Sequence, residues 1–353
     1  YWLHDYALFM TIKDTHEGVS WNHWPEPLRF RQKDAIQRFE SEHKSQIDYY
    51  VFQQFVFSQQ WRNLRRFANQ KGIQVVGDIP IYVSYDSADS WAHPELFMFD
   101  ENGLPTVVSG TPPDLFSSDG QLWGNPIYRW EIHNKTGYEW WLERIKTTLK
   151  SIDLLRLDHF RGFTGYWSVP AGDTTAKNGI WMDGPGMKLF LAIQKELGDL
   201  PIIAEDLGEI TPDVFVLRDL FKLPGMKVIQ FAFFDPPDQN FLPHTYEKNF
   251  IAYTGTHDND TAVGWFNNAS DSSRITFINY TNSNGVDIAW DMIRVVWASV
   301  AVLAIAPLQD FLSLGNEARM NYPGNPSGNS GGNRGQQQFQ QQQRAIEGLG
   351  QGI

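Results

Sequence analysis

Apolar runs and amphipathic segments take turns along most of this chain, and a charged or polar residue closes nearly every apolar run. A helical pattern covers 33–71, where Ile47, Val51, Phe55, Phe57, Trp61, Leu64 and Ala68 recur at three- and four-residue spacing before Gly72. The strand pattern "IQVVGDIPIYV" (73–83) follows it. "TGYE" (136–139) has the form of a capping box opening a helix to about residue 150, and "SIDLLRLD" is the next strand. The helix of "GPGMKLFLAIQKELG" leads into the strand of "LPIIAEDLG". A helix from Thr211-Pro212 to about Phe221 leads into "MKVIQFAFF". The strand "NFIAYTGTHD", the helix "DIAWDMIRVVWASV" and the strand "AVLAIAPLQD" complete the series. Such alternation, with strands apolar on both faces, predicts an α/β fold with a parallel sheet and helices outside it.

Asp78, Asp158, Glu205, His257 with Asp258, and Asp310 all fall where these strands finish. A (β/α)8 barrel gathers every strand C-terminus on one face, which an open sheet does not, so the pattern favours the barrel. About six strands are recognisable, two short of closure, and an open barrel leaves exposed edges. The missing strands are expected before Tyr1, and a chain beginning with Tyr rather than Met reads as a fragment or processed piece. Between 84 and 135 the alternation lapses into a stretch rich in Gly, Pro, Ser and Trp, which predicts a small subdomain over the barrel mouth. The catalytic barrel is expected to span 1–324, and the Gly/Gln-rich tail 325–353 to be disordered.

Composition narrows the function. The formal charge of −12 weighs against a nucleic-acid or anionic-membrane surface. Neither an apolar run long enough to span a bilayer nor an N-terminal secretion signal is present in the sequence. The absence of cysteine rules out disulfides, thiolate catalysis and Cys-ligated metal, and fits a cytoplasmic location. Fourteen tryptophans exceed what a core needs, and they suit stacking on the apolar C–H face of sugar rings; core packing is the other reading for each one.

Asp158, Glu205 and Asp258 each follow an apolar strand. Glycoside cleavage needs one ionised carboxyl group and one protonated one. Arg156, two positions before Asp158 on the same strand face, suits Asp158 to the ionised role; the apolar "PIIA" before Glu205 suits it to the acid role. The alternatives are structural: Asp158 in an ion pair, and Glu205-Asp206 capping a helix. "THDNDT" lacks the glycine and distal glutamate of a calcium loop, and no zinc-hydrolase, nucleophile-elbow or nucleotide-binding motif occurs.

Several separate motifs point one way. "GDIPIYV", "DSADSWAHPELF", "GTPPDLFSSDGQLWGNPIYRW", "LRLDHFRGF", "YWSVPAG", "IIAEDLG", "LPGMKVIQFAF", "YTGTHDNDT" and "EARMNYPG" together resemble glycoside hydrolase family 77, the 4-α-glucanotransferases, from Tyr1 to about Asn329. The resemblance implies that Asp158 is a nucleophile forming a covalent glycosyl-enzyme. It implies that Glu205 is the general acid and then base, and that Asp258 grips sugar hydroxyls. Asp78, Arg156 and His257 match positions lining the cleavage subsite, and Trp123 a position on the acceptor side. Asn321 and Asp310 match more weakly, as supporting residues. The family's fold is similar to the α-amylase barrels, it uses no cofactor and no metal for chemistry, and its substrates are α-1,4-glucans and glucose. The chain departs from the family pattern at its beginning and after "GNPSGN". Retention of configuration requires Asp158 and Glu205 about 5–5.5 Å apart. Two other functions fit the same residues: an amylase-type hydrolase, and a non-catalytic glucan-binding protein.

Overall fold

The computed structural model describes residues 2–113, 117–199, 201–208, 210–234 and 237–321. The expected tail, 325–353, lies outside the described residues. Strands among them are β1 (Val76–Ile79), β2 (Val107–Thr111), β3 (Gln121–Pro126), β4 (Leu154–Leu157), β5 (Gly165–Pro170), β6 (Ile180–Asp183), β7 (Ile202–Ala204), β8 (Gly225–Val228), β9 (Phe250–Tyr253) and β10 (Leu303–Ile305). β1, β4, β7, β8, β9 and β10 stand at the six apolar runs anticipated from the sequence. The chain divides into two compact units between Ile202 and Ile203, within β7.

In the first unit, the 33–71 pattern forms two helices, Lys33–Glu42 and Lys44–Gln70, separated at His43, whose ring stacks on Phe39 at 4.2 Å. Asp153 accepts the Val75 N–H at 2.8 Å and pairs with Arg65, fixing the entry to β1. Pro80, with no N–H to give a ladder, directly follows the last residue of β1. β1 and β4 run parallel, with Asp78 opposite Arg156. The Leu155 N–H donates to the Pro201 carbonyl at 2.8 Å, just ahead of β7.

The segment expected to leave the alternation does so as an antiparallel sheet of order β3-β2-β5-β6. Its outer two strands on one side, β5 and β6, come from 165–183, well beyond the 84–135 region. "TGYE" is not a capping box. Thr136 instead closes the preceding helix, Trp130–Lys135, by donating its hydroxyl to the Ile132 and His133 carbonyls. The next helix, Glu139–Leu149, starts from Tyr138 in the left-handed region (φ 62°), a chain reversal that the Thr-x-x-Glu spacing does not encode.

His133 is completely buried among the rings of Tyr128, Trp130 and Trp140. Burial lowers its pKa to about 4, outweighing the opposing influence of the Leu96 backbone and Glu95. The folded state therefore keeps the ring neutral. Its contribution to stability is present above the ordinary histidine pKa of 6.5 and is lost as pH falls through 4. Thermal melts of His133→Phe should show a smaller drop between pH 7 and pH 4.5 than the parent protein. Equal drops would remove His133 as a source of acid sensitivity.

In the second unit, the Ala204 N–H donates to the Pro224 carbonyl, and β10-β9-β8 form a parallel sheet. The helix after Thr211 starts with Pro212, as expected, and runs to Leu220. Only Gly225–Val228 of the "MKVIQFAFF" region is strand; Ile229–Phe233 tightens into a 3-10 turn that carries Phe233 and Ile229 into the core. That core also takes Trp265, Phe277, Met292 and Val296. No described helix is long and apolar enough to cross a membrane.

Candidate active site

Each unit carries part of the predicted residue set. In the first, the parallel register of β1 and β4 sets Asp78 beside Arg156, and the alternation of a strand returns Asp158 to the same face. The Arg156 guanidinium bridges the two acids: Nη1 lies 2.5 Å from Asp78 Oδ2, and Nη2 2.7 Å from Asp158 Oδ1. Arg156 is 12% exposed, against 32% for Asp158, so the cation is sunk while the carboxylate remains within reach of a ligand. The Asp158 N–H is held by the Ile79 carbonyl at 2.9 Å.

Trp123, on β3, stands beside this cluster through His159. Their rings are perpendicular (84°), with centroids 4.7 Å apart. Tyr82 also packs on Trp123, at 6.4 Å. His159 was no candidate in the sequence; it sits 36 residues from Trp123 and no spacing rule links them.

In the second unit, Glu205 follows β7, and one of its carboxylate oxygens accepts the Leu207 N–H at 3.1 Å. Asp206 is the structural member of that pair. It is buried, pairs with Arg218 at 2.5 Å and accepts the Met226 N–H at 2.7 Å, tying β7's end to β8 rather than capping a helix. Asp258 is more exposed. Asn321 donates to its Oδ1 at 2.9 Å, and His257 Nε2 lies 3.3 Å from Oδ2. The loop bearing Asp258 is clamped twice. Arg319 donates to the Asp258 carbonyl and pairs with Asp260, while buried Gln230 donates to the Thr254 and Asp260 carbonyls. Neither Arg319 nor Gln230 stands out in the sequence. Asp310 is a clamp as well: fully buried, it accepts the Thr254 hydroxyl at 2.6 Å and the Ala262 N–H at 2.8 Å.

The proteins that this chain is similar to define its class. The family model of glycoside hydrolase family 77, 4-alpha-glucanotransferase, matches residues 1–332. A 4-alpha-glucanotransferase from Thermus thermophilus is 48% identical over 335 residues, 93% of this chain and 67% of that protein. One from Synechocystis is 50% identical over 327 residues, 92% of this chain and 65% of that protein. The chain thus spans about two thirds of the length of these relatives. An amylomaltase from Streptococcus agalactiae, solved in complex with acarbose, superposes with a TM-score of 0.89 at 37% identity, covering 99% of this chain and 71% of that one. The chain belongs to the 4-alpha-glucanotransferase family, glycoside hydrolase family 77. Its enzyme class is accordingly that of a transferase acting on glucans.

Proposed function

We propose that Asp158, Glu205 and Asp258 act on one α-1,4-glycosidic bond, and that the chain transfers a glucan segment to the 4-OH of glucose or another glucan. Asp158 attacks the anomeric carbon as Glu205 gives its proton to the departing 4-oxygen, so a glycosyl ester forms and the shortened glucan leaves. The acceptor 4-OH then attacks the anomeric carbon of that ester. Its proton passes to Glu205, the bond to Asp158 breaks, and both carboxyl groups return to their starting states. Asp258, with His257, grips the ring hydroxyls; Asp78 and Arg156 orient the nucleophile and line its subsite; Trp123 offers its face to the acceptor. Two inversions make the reaction retaining. The observation that carries this reading is the Arg156 guanidinium divided between Asp78 and Asp158. It fixes the direction of a partly exposed carboxylate at a strand end.

The (β/α)8 architecture, with the catalytic region over 1–324 and an inserted subdomain at 84–135, belongs to the same proposal. So does a cytoplasmic location, supported by the lack of cysteine. No cofactor or metal takes part in the steps above. Incubation with maltotriose should yield glucose together with maltodextrins longer than the substrate. A falling chain length alone would replace transfer by hydrolysis, and an unchanged sugar with measurable binding would leave only a glucan-binding protein.

A further inference from the structure

We infer that His159 is a positioning residue that holds Trp123 beside Asp158 and so favours a sugar over water as the group that resolves the glycosyl ester. This rests on the roles proposed above for Asp158 and Trp123. His159 follows Asp158 directly, with its backbone in the left-handed region (φ 50°, ψ 50°). A non-glycine residue is held there only where its surroundings impose it. Its ring stands perpendicular to Trp123, 4.7 Å away, in the edge-to-face geometry that favours aromatic pairs. Gly162 packs closely against another part of the imidazole. A Cβ on Gly162 would come within 2.6 Å of Ile81 Cδ1 and 3.0 Å of His159 Cδ2. Trp123 is held further by Tyr82 and by the hydrogen bond from its indole N–H to Gln121 Oε1 at 3.2 Å.

The charge state fits the role. Burial lowers the His159 pKa to about 4; the neighbouring Asp158 opposes this and Arg161 adds to it. A neutral imidazole leaves Arg156 as the cation paired with Asp158 and keeps the ring suited to packing against indole. With Trp123 fixed, an acceptor sugar has a ready apolar face on which to stack as it approaches the ester. With Trp123 loose, water meets less competition.

Transfer conserves the number of reducing ends and hydrolysis adds one per event, so a maltotriose reaction followed by both reducing-end assay and chromatography reads the partition directly. His159→Asn keeps a residue that tolerates left-handed backbone while removing the ring. It is expected to raise the ratio of hydrolysis to transfer about fivefold, the scale of one aromatic contact. His159→Phe, which restores a ring, should stay within about twofold of the parent on the same scale. A purely structural role would lower both rates together and leave the ratio unmoved; that result in His159→Asn overturns the inference. A second readout does not depend on turnover. In the whole chain, NMR titration of His159 should place its midpoint near 4, and Trp123→Ala should move it toward 6.5 by admitting water. An unmoved midpoint overturns the contact itself. Full disproportionation by Asp158→Asn would instead overturn the role given to Asp158, leaving the contact to be judged by the titration.

Discussion

Asp158→Asn should lower glucan transfer by at least about three orders of magnitude, which corresponds to about 4 kcal/mol of transition-state stabilisation. Maltotriose binding should change far less. Asparagine has nearly the same shape, and its amide oxygen can still accept from Arg156 Nη2, so the local packing is preserved. It carries no charge to develop a bond to the anomeric carbon. The complementary change, Glu205→Gln, removes the proton donor and the later base. A glycosyl fluoride, whose leaving group needs no proton, should then form the ester without efficient turnover. Mass spectrometry of the digested protein should find the added sugar on the peptide containing Asp158. A sugar attached elsewhere, or parental activity in Asp158→Asn, would end the proposed assignment.

The second large effect is on stability. Asp310→Ala should destabilise the protein by about 2–5 kcal/mol, because the Thr254 hydroxyl and the Ala262 N–H lose their buried acceptor and a cavity opens. Asp310→Asn should cost only about 1 kcal/mol, since its amide can accept from Ala262 and donate to Thr254 Oγ1. Burial raises the Asp310 pKa above its usual 3.8, while the two donors partly offset that rise. The folded state thus binds this proton more tightly than the unfolded chain, and the parent loses stability as pH rises from 3.8 through the folded pKa. The Asn penalty should be largest in acid and shrink toward neutrality. Denaturant unfolding at two pH values measures both effects; an Ala variant as stable as the parent would remove Asp310 from the clamp.

Much of this architecture was readable because local rules governed it. Period-two alternation was enough to put Arg156 and Asp158 on one strand face, and Pro212 and Gly198 mark helix ends where they were expected. The strands β1, β4, β7, β8, β9 and β10 follow from apolar runs whose flanks alternate with helices. What escaped was decided by partners far away in sequence. β2 pairs with β5, nearly sixty positions on, and β6 has four exposed residues with no inside–outside rhythm to betray it. Thr136 looked like a helix start because its spacing to Glu139 was right, yet its hydroxyl found nearer carbonyls behind it. Arg319 reaches the Asp258 loop across 61 positions, and Gln230 is a buried amide within an apolar run. Family resemblance brought Asn321 into view, but only the folded chain shows its amide on Asp258.

Arg156 shared between two acids has an electrical consequence for the proposed reaction. Before attack, the trio of Asp78, Arg156 and Asp158 has a net charge of −1, which favours the positive character growing on the sugar ring. Once Asp158 is esterified the trio is neutral, and the guanidinium still has Asp78 as its counter-ion. The covalent stage is therefore spared a stranded, largely covered cation, and departure of the sugar restores the original negative field without any proton having to move within the trio.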